Sequence, residues 1–340
     1  MPPSTPTVAG GNASYVLGHQ LGAGGMGIVY EATCAADGEP VAIKFLQPDK
    51  LTDPREVRRF ESERICGFLV THPNIATVLD RGETPAGEPF LVMERVGGEP
   101  LGLRVARDGA MVPIRAVRIA RQILGALTAI HDSGIVHADV KSDNVLVETQ
   151  PDGTDVCKLI DFGLAHAQFA AETTEPAQLP DWLSGTPEYM APEVLRGEVA
   201  SFTADLYAVG MILYEMLAGQ TPFAGGTVKE IVVRHLEDEV VPPSLRCTHY
   251  DLPSSLDYVV LRAVQKVASQ RFESARAFDA ALADVEHELH GHTGIDVSAT
   301  RWTRDFEDDE RRLVRTPPRR RPAQGRRVDT LRMPSRRHRR

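Results

Sequence analysis

Acidic, amide and basic side chains that could act together lie close to one another at two places in the sequence. The first is the run from His137 to Asn144 (HADVKSDN), which follows an amphipathic helical pattern. The second is Asp161-Phe162-Gly163, directly after a short apolar strand pattern. Asp139 could accept a proton, Lys141 could contact a phosphate, and the oxygens of Asn144 and Asp161 are hard ligands of the type that Mg²⁺ prefers. Together they fit chemistry on a phosphate group.

Two segments nearer the N-terminus could hold the phosphates. Residues 22–27 read GAGGMG between two β-type patterns, and glycine lets backbone N–H groups approach an anion closely because no Cβ intervenes. Lys44 ends the apolar strand pattern VAIK, where burial is costly unless an anion meets the ammonium. That anion could be Glu63 on the following helix or a phosphate oxygen. Taken singly, the segments also fit a ligand-free glycine hairpin and a lysine that reaches the surface.

Two other phosphate-binding arrangements fit this sequence poorly. No helical pattern opens from the glycine cluster, as a dinucleotide-binding fold would require, and no GKS or GKT follows it, as in a Walker loop. The glycine cluster is therefore interpreted as a hairpin that lies over a polyphosphate.

The elements that must position these residues change from strands to helices along the chain. The pattern predicts strands and a hairpin over Tyr15–Tyr30, strands at Glu39–Leu46 and Phe90–Glu94, and one helix from Pro54 to about Val70. That helix has Val57, Phe60, Arg64 and Phe68 along one side. Helices then dominate, with two short strands among them, and we predict an α+β protein with a small strand-rich lobe and a larger helical lobe. The later elements are helices at Pro113–His131, Thr203–Ala218 (ended by Gly219), Leu256–Ala268 and Ser274–His290, and strands at Val145–Glu148 and Val156–Ile160.

Composition narrows the class of protein. The 340 residues are 42% apolar and 25% charged, which excludes a wholly disordered or fibrous chain. The longest charge-free apolar stretch, Leu206–Tyr214, is too short to cross a bilayer, so no transmembrane segment is expected. The N-terminus has no secretory pattern. Four cysteines without CxxC spacing argue against a disulfide framework or zinc ribbon and favour a cytoplasmic location.

Charge is unevenly distributed. Residues 311–340 hold 13 arginines and one acid, a net +12, so the total of −9 leaves −21 on the remaining 310 residues. We predict a flexible leader over residues 1–14 and a disordered Arg/Pro-rich basic tail over 291–340. The tail has three interpretations: a solvated segment, a polyanion-binding segment for nucleic acid or anionic lipid, or a segment that docks on the acidic body. In the last case Thr316 and Ser335 are candidate autophosphorylation sites.

Taken in order, the segments resemble the eukaryotic-like (Hanks-type) serine/threonine protein kinases, and their wording is closest to the bacterial members. The resemblance runs from Tyr15 to His290 and implies a two-lobed kinase fold with an N-lobe at 15–96 and a C-lobe at 97–290. No feature of the sequence specifies an oligomeric state. Further matching segments are His72-Pro73-Asn74-Ile75, residues 185–193 (GTPEYMAPE), Asp205, Gly210 and Arg271-Phe272.

The resemblance implies ATP and Mg²⁺, or Mn²⁺ in its place, as cofactors. It places Lys44 on the α- and β-phosphates and on Glu63 rather than Glu61, and it makes Met93 the gatekeeper of the adenine pocket. Leu146 would form the floor of that pocket. The residues implied in nucleotide binding are Leu21, Gly22, Ala23, Gly24, Gly25, Met26, Gly27, Val29, Ala42, Lys44, Glu63, Met93, Glu94, Val96 and Leu146.

For the reaction, the resemblance implies transfer of the γ-phosphoryl group of Mg-ATP to Ser or Thr hydroxyls of proteins, this protein included. Asp139 would take the hydroxyl proton, assisted by Lys141 and Lys44, while Asn144 and Asp161 would hold the metal. Thr186 would reach Asp139 and Lys141, as in serine/threonine kinases. Glu193 and Arg271 would form a structural ion pair.

One position departs from the family pattern. Residue 138 is Ala where the family usually has an arginine that pairs with a phosphorylated activation-loop residue. We therefore predict that activity does not depend strongly on phosphorylation of Thr173, Thr174 or Ser184.

Two alternatives accompany this interpretation. A pseudokinase scaffold would keep the fold and bind nucleotide without transfer, but its usual marks, loss of the lysine or of the catalytic or metal-binding Asp, are absent. The cluster Glu286-His287-Glu288-Leu289-His290-Gly291-His292 has metal-ligand residue types, yet it fits better a helix end capped by Gly291.

Overall fold

The N-terminal part is a six-stranded antiparallel sheet with one helix against it. The computed structural model describes residues 7–24, 27–161, 166–167 and 187–293. The strands run in the order β1-β2-β3-β4-β6-β5. Helix α1 (Pro54–Leu69) connects β4 to β5 and begins with proline, which suits a first helical turn. The strands are β1 (Thr7–Ala9), β2 (Ser14–Gly24), β3 (Gly27–Cys34), β4 (Pro40–Leu46), β5 (Val78–Glu83) and β6 (Pro89–Glu94).

Apolar residues on the two faces of this sheet form separate cores. One cluster includes Tyr15, Ile43 and Phe90, and the other joins Leu91 of β6 to Phe60 of α1. Because strand side chains alternate between faces, neighbouring residues such as Phe90 and Leu91 enter opposite clusters. Helix α1 therefore packs on only one face of the sheet.

The predicted flexible leader over residues 1–14 is wrong for residues 7–14. Strand β1 pairs with β2, and the backbone N–H of Gly11 donates to the carbonyl of Arg81 on β5 at 2.8 Å. The buried carboxylate of Asp80 accepts from the Asn12 backbone at 3.0 Å and from the Tyr15 hydroxyl at 2.9 Å. The short strand TVA lies in a stretch of small and polar residues with no apolar alternation, so its pairing with β2 was not visible in the sequence pattern. Residues 1–6 lie outside the described residues.

The C-terminal part is mainly helical. Strands β7, β9 and β10 form a small antiparallel sheet, and β8 pairs with β11. The strands are β7 (Glu99–Pro100), β8 (Ile135–Val136), β9 (Val145–Thr149), β10 (Asp155–Leu159) and β11 (His166–Ala167). The helices are α2 (Leu101–Asp108), α3 (Pro113–Asp132), α4 (Pro192–Leu195), α5 (Phe202–Ala218), α6 (Val228–Glu237), α7 (Pro243–Arg246), α8 (Ser254–Ala263) and α9 (Ala275–Thr293).

Helix α5 lies at the centre of the helical lobe. Its residues from Ala204 to Leu217 are buried, as expected for a helix that is apolar all round. A Cβ on Gly210 would lie 2.8 Å from the Cβ of Ala263, so glycine here allows close packing against α8. Gly219 ends the helix in the left-handed conformation at φ 78°. Side chains of this buried helix contact segments that form the candidate active site.

Two predicted helix ends differ from the structure. Helix α8 stops at Ala263, and the next residues turn so that the carbonyl of Gln265 accepts from Arg271 at 2.8 Å. Helix α9 continues through Gly291 to Thr293, so the predicted cap at Gly291 and the tail boundary at 291 are wrong. A glycine inside a helix costs only ~1 kcal/mol, which neighbouring turns can offset. Strand β5 and helices α2 and α6 were not predicted.

Two observations concern the predictions about a transmembrane segment and about the cysteines. Within the described ranges, no helix has the length and apolar character needed to cross a lipid bilayer. All four cysteines are buried and carry free thiols.

Candidate active site

An ion cluster joins both lobes at the cleft. The Nζ of Lys44 on β4 lies 2.8 Å from each carboxylate oxygen of Glu63 on α1 and 2.9 Å from Oδ1 of Asp161. The predicted pairing of Lys44 with Glu63 is thus present, whereas Glu61 pairs with Arg64 at 2.5 Å. One ammonium group therefore holds together strand β4, helix α1 and the second residue after β10.

The carboxylates keep Lys44 charged. Burial by itself would lower the pKa of Lys44, but the adjacent carboxylates of Asp161 and Glu63 outweigh it and raise the pKa above its ordinary value. Burial and the charge of Asp161 raise the pKa of Glu63, and Lys44 opposes that rise. Among the residues that the structure describes, the cluster thus brings one ammonium group and two carboxyl groups together.

The glycine hairpin lies over open space. Gly22 pairs with Val29, and Gly24 pairs with Gly27. A Cβ on Gly22 or Gly24 would meet no atom of the described residues within 4 Å, which leaves space beside their backbone for a ligand. A Cβ on Gly27 would lie 2.4 Å from the carbonyl oxygen of Phe45, so only glycine fits there.

The structure describes the remaining hairpin residues only in part. The side-chain amide of Gln47 donates to the carbonyl of Gly24 at 2.9 Å and anchors the hairpin to the segment after β4. Sequence reasoning missed this contact. Ala23 is exposed and pairs with Ile28, while Gly25 and Met26 lie outside the described residues.

The residues predicted to surround an adenine ring share one face of the sheet. The strand register places Val29 opposite Lys44, and Ala42 opposite Met93. Because side chains on opposed residues of neighbouring strands share a face, all four point to the side of the sheet that carries Lys44. Leu21 is exposed at the start of the hairpin. These predicted residues thus lie on one face of the sheet, and their role around an adenine ring stays a prediction.

An ion pair connects this face of the sheet to the helical lobe at the segment between the lobes, residues 94–96, which we call the hinge. Glu94 at the end of β6 lies 2.5 Å from the Nζ of Lys158 on β10. Lys158 is opposite Leu146 in the β9–β10 ladder, which places Leu146 beneath the hinge. Val96 is half-buried in the segment that leads to β7. Sequence reasoning missed the role of Lys158, since nothing in its local pattern indicates the partner.

The loop from His137 to Asn144 brings its polar side chains together. The Nζ of Lys141 lies 2.7 and 3.0 Å from the carboxylate oxygens of Asp139. The side-chain amide of Asn144 donates to the backbone carbonyl of Asp139 at 2.9 Å and to its Oδ2 at 3.0 Å. The carboxylate of Asp139 is thus oriented by a cation and an amide.

A buried acid on α5 holds the backbone of this loop. The carboxylate of Asp205 accepts from the backbone N–H groups of His137 and Ala138 at 2.9 Å each, and it lies 2.8 Å from Nε2 of His131. Ala138 has φ 63°, a conformation that is costly for a residue with a Cβ. These hydrogen bonds offset that strain. The sequence marked Asp205 as a family match without a role, and its signal was an acid in an otherwise apolar helix that contains only one other, Glu215.

The two candidate metal ligands are adjacent across a backbone hydrogen bond. The N–H of Ile160 donates to the carbonyl of Asn144 at 2.9 Å, and Asp161 follows directly with φ 68°. The amide nitrogen of Asn144 is committed to Asp139, which leaves its side-chain oxygen to face a cation. No group of three or more His, Cys, Asp or Glu residues with metal-site geometry occurs in the part of the chain that the structure describes. A two-ligand set fits Mg²⁺, which usually keeps water and phosphate oxygens as its other ligands.

Hydrogen bonds and an ion pair hold the segment that follows residue 186 against the helical lobe. The hydroxyl of Tyr189 donates to Glu215 on α5 at 2.8 Å and lies 2.8 Å from Oγ of Ser142. Burial raises the pKa of Glu215 to about 6. The predicted ion pair of Glu193 with Arg271 is present, with two contacts of 2.7 Å.

Some predictions fall outside the described residues. These are the positions of Phe162 and Gly163, the contact of Thr186 with Asp139 and Lys141, and everything placed on residues 294–340. They stay predictions.

The histidine-rich end of α9 is held in ion pairs. Glu286 lies 2.7 Å from Nε of Arg118 and 2.5 Å from Nη1 of Arg121. Nε2 of His290 lies 2.9 Å from Arg118. The acidic and histidine side chains at this end of α9 thus contribute to the packing of α9 against α3.

Comparison with known proteins assigns the family. The protein kinase domain model matches residues 15–279. The serine/threonine-protein kinase pkn3 of Myxococcus xanthus is 35% identical over 268 residues, which are 79% of this chain and 49% of pkn3. PknB of Mycobacterium tuberculosis is 36% identical over 276 residues, which are 80% of this chain and 43% of PknB. The chain belongs to the protein kinase family, and its relatives are bacterial serine/threonine kinases of the Hanks type.

Solved structures agree with the two-lobed fold. A single-mutant form of the PknI kinase domain of Mycobacterium tuberculosis matches with a TM-score of 0.61 at 26% identity, covering 84% of this chain and 99% of that domain. A double mutant of the same domain matches with a TM-score of 0.60 at 25% identity. The chain spans about half the length of the curated relatives that it matches.

Proposed function

We propose that this protein is a serine/threonine protein kinase, which transfers the γ-phosphoryl group of ATP to Ser and Thr hydroxyls of proteins, itself included. One observation carries the proposal. The ion cluster of Lys44, Glu63 and Asp161 and the catalytic loop of Asp139, Lys141 and Asn144 meet at one cleft, joined by the backbone hydrogen bond from Ile160 to Asn144.

Nucleotide binding follows from the open hairpin and the ammonium group. The free space beside Gly22 and Gly24 supports close approach of phosphate oxygens to backbone N–H groups. Lys44 would place its charge on the α- and β-phosphates while Glu63 holds its side chain in position. Ala42, Met93 and Leu146 would enclose the adenine between the lobes.

A divalent cation completes the charge balance. Asn144 and Asp161 would hold Mg²⁺, or Mn²⁺ in its place, and the cation would supply neutralisation of the phosphate charge when bound. The position of Asp161 supports this assignment, because its carboxylate lies at the cleft, 2.9 Å from the Nζ of Lys44, and carboxylate oxygens are ligands that Mg²⁺ prefers.

Asp139 would orient the acceptor hydroxyl and take its proton. Its carboxylate is fixed by Lys141 and Asn144, and the loop that carries it is fixed by Asp205. The transition state of phosphoryl transfer is loose, so positioning and charge neutralisation supply most of the rate. Lys141 is close enough to Asp139 to stabilise the transferring phosphoryl group as well.

The first test is phosphate transfer from radiolabelled ATP with Mg²⁺ to the protein itself and to a myelin-type basic protein. We expect label on Ser and Thr that falls at least ~10³-fold in Asp139→Asn, because the hydroxyl loses its proton acceptor. The matched control is Asp152→Asn on the exposed β9–β10 turn, which should transfer at the wild-type rate. Nucleotide should raise the melting temperature of all three proteins.

The pseudokinase scaffold makes the opposite prediction. If the wild-type protein transfers no phosphate with Mg²⁺ or Mn²⁺, while ATP still raises its melting temperature, the chain binds nucleotide without chemistry and the kinase proposal fails. We also propose a cytoplasmic location, which the supply of ATP and the four free thiols support.

A further inference from the structure

Two consecutive side chains of the hinge form ion pairs with opposite lobes. Glu94 lies 2.5 Å from the Nζ of Lys158 on β10, in the helical lobe. The Nε of the next residue, Arg95, lies 3.3 Å from Oε1 of Glu31 on β3, in the six-stranded sheet. An acid of the hinge is thus paired with a base of the helical lobe, and a base of the hinge is paired with an acid of the sheet. The segment between the lobes is therefore held from both sides.

The guanidinium of Arg95 has a second acceptor, which belongs to the hinge backbone. Its Nη1 donates to the carbonyl oxygen of Val96. A guanidinium is planar and rigid, so its Nε and Nη1 keep a constant geometry relative to each other. Because one nitrogen contacts Glu31 and the other contacts Val96, the position of the Val96 carbonyl is coupled to strand β3.

Glu31 lies on the face of the sheet that carries Lys44. It is opposite Ala42 in the β3–β4 ladder, and opposed residues of neighbouring strands share a face. Its second carboxylate oxygen lies 3.1 Å from Nδ1 of His19 on β2. The carboxylate is thus oriented from two strands, and its pair with Arg95 lies where this face of the sheet meets the hinge.

An exposed ion pair usually contributes little to the stability of a fold. The side chains of Arg95 and Glu31 are 32 and 35% exposed, so we expect little effect of this pair on global unfolding. Its location gives it another consequence, because the same guanidinium holds a backbone carbonyl of the hinge. Loss of Arg95 should therefore loosen the hinge locally without unfolding the protein.

We propose that Arg95 is a positioning residue for the nucleobase: through Glu31 and the Val96 carbonyl, it fixes the backbone edge of the hinge against which the base lies. The inference rests on the proposed function, which places adenine between the lobes. A pre-organised edge loses less conformational entropy when a ligand binds than a mobile edge does. The phosphates are assigned to the glycine hairpin and Lys44, so the contribution of Arg95 should concern the base alone.

Amide hydrogen exchange of the unliganded protein tests the effect on the hinge. Arg95→Met keeps a long unbranched side chain and removes the guanidinium. We expect a peptide that covers residues 90–97 to exchange about fivefold faster in this variant than in wild type. Arg276→Met is the matched control, because Arg276 on α9 also forms an exposed ion pair, with Asp132 in the helical lobe. It should leave the exchange of the hinge unchanged.

Titration calorimetry with two part-ligands tests the effect on binding. Adenosine carries the base without phosphates, and inorganic tripolyphosphate with Mg²⁺ carries phosphates without the base. Arg95→Met should weaken adenosine binding about fivefold and leave tripolyphosphate binding unchanged. Glu31→Gln should also weaken adenosine binding. The double variant should bind adenosine no more weakly than Arg95→Met alone, because both changes remove the same pair.

Three outcomes would overturn the positioning role. They are a hinge that exchanges at the wild-type rate in Arg95→Met, an unchanged affinity for adenosine in that variant, and an equal loss of affinity for adenosine and tripolyphosphate. The last would indicate general damage to the sheet. If wild type binds neither adenosine nor ATP, the proposed function fails together with this inference. Adenosine binding by wild type that Arg95→Met does not alter overturns the inference alone.

Discussion

Two aspartates of the candidate site act differently because of the groups that surround them. Asp139 is partly accessible and lies beside the ammonium of Lys141, so its carboxylate is available to an incoming hydroxyl. Asp205 is 2% exposed, and its oxygens are used by two backbone N–H groups and by His131. Environment, rather than residue type, makes one a candidate base and the other a support.

Ala138 leads to a prediction about regulation at the residue scale. Its methyl side chain offers no cation to a phosphate on the activation segment, and its backbone N–H donates to Asp205. Changing Thr173, Thr174 and Ser184 together to Ala should therefore retain at least about half of the wild-type kcat/KM. Steady-state kinetics on a basic protein substrate measure this.

The control for that prediction restores the missing charge. Ala138→Arg supplies a cation, so the triple Ala change in an Ala138→Arg background should lower activity relative to Ala138→Arg alone. Loss of nearly all activity in the triple variant of the wild-type background would show that another cation does the work of the absent arginine.

At the scale of elements, helix α5 holds two segments of the candidate active site in position. Asp205 near its start holds the loop at His137 and Ala138. Glu215 near its end holds Tyr189, ~15 Å further along the axis. A single buried helix thus sets the separation between the candidate base and the segment that follows residue 186.

Glu215 should make stability depend on pH. Burial raises its pKa from 4.5 to about 6, and the hydrogen bonds from Tyr189 and Ser142 oppose that rise. Because the folded protein holds this proton more tightly, the stabilisation is fully present below pH 4.5 and is lost as pH rises through 6. The free energy of unfolding of wild type relative to Glu215→Gln should fall by roughly 2 kcal/mol across that window.

Urea unfolding at several pH values between 4 and 7.5 measures this difference. Glu237→Gln, at an exposed position at the end of α6, is the matched control and should follow the wild-type profile. A constant difference between wild type and Glu215→Gln at every pH would show that Glu215 does not titrate in this range.

At the scale of the whole molecule, charge is divided between an acidic body and a basic end. Residues 311–340 carry +12 and the remainder −21. Binding of a basic segment to a polyanion releases counterions and therefore weakens steeply with salt. We expect the full chain to be retained on heparin more strongly than residues 1–300, and the difference to vanish at high salt.

A variant of the full chain with fewer arginines tests whether the retention depends on the charge of the tail. Replacing the arginines at 336, 337, 339 and 340 with Gln removes four of the tail charges and should lower the eluting salt concentration part of the way toward that of residues 1–300. Equal elution of the full chain and the truncated protein would favour a tail that is either solvated or occupied by the acidic body.

Local pattern accounts for much of the site. The glycine hairpin, the strand of Lys44 and the helix of Glu63 were each predicted close to their observed bounds, because alternation and helical spacing are local properties. The hydrogen bonds of Asn12 and Tyr15 to Asp80 were missed because the partners are 68 and 65 positions apart in the sequence. The hinge pair of Glu94 with Lys158 was missed for the same reason.

The sequence by itself determined the order and the side-chain chemistry of the candidate site residues, since Lys44, Asp139, Asn144 and Asp161 were singled out by residue type and motif without a structure. Only the tertiary structure decided which side of α1 faces the sheet. Phe60 and Phe68 were predicted on one side, yet Phe60 is 3% exposed and Phe68 is 44% exposed. Eight residues advance a helix by ~80° beyond two full turns, which carries Phe68 off the buried side. Helical geometry alone separates the two rings, but the packing of Phe60 against Leu91 of β6 decides which of them is buried, and no local pattern contains that contact.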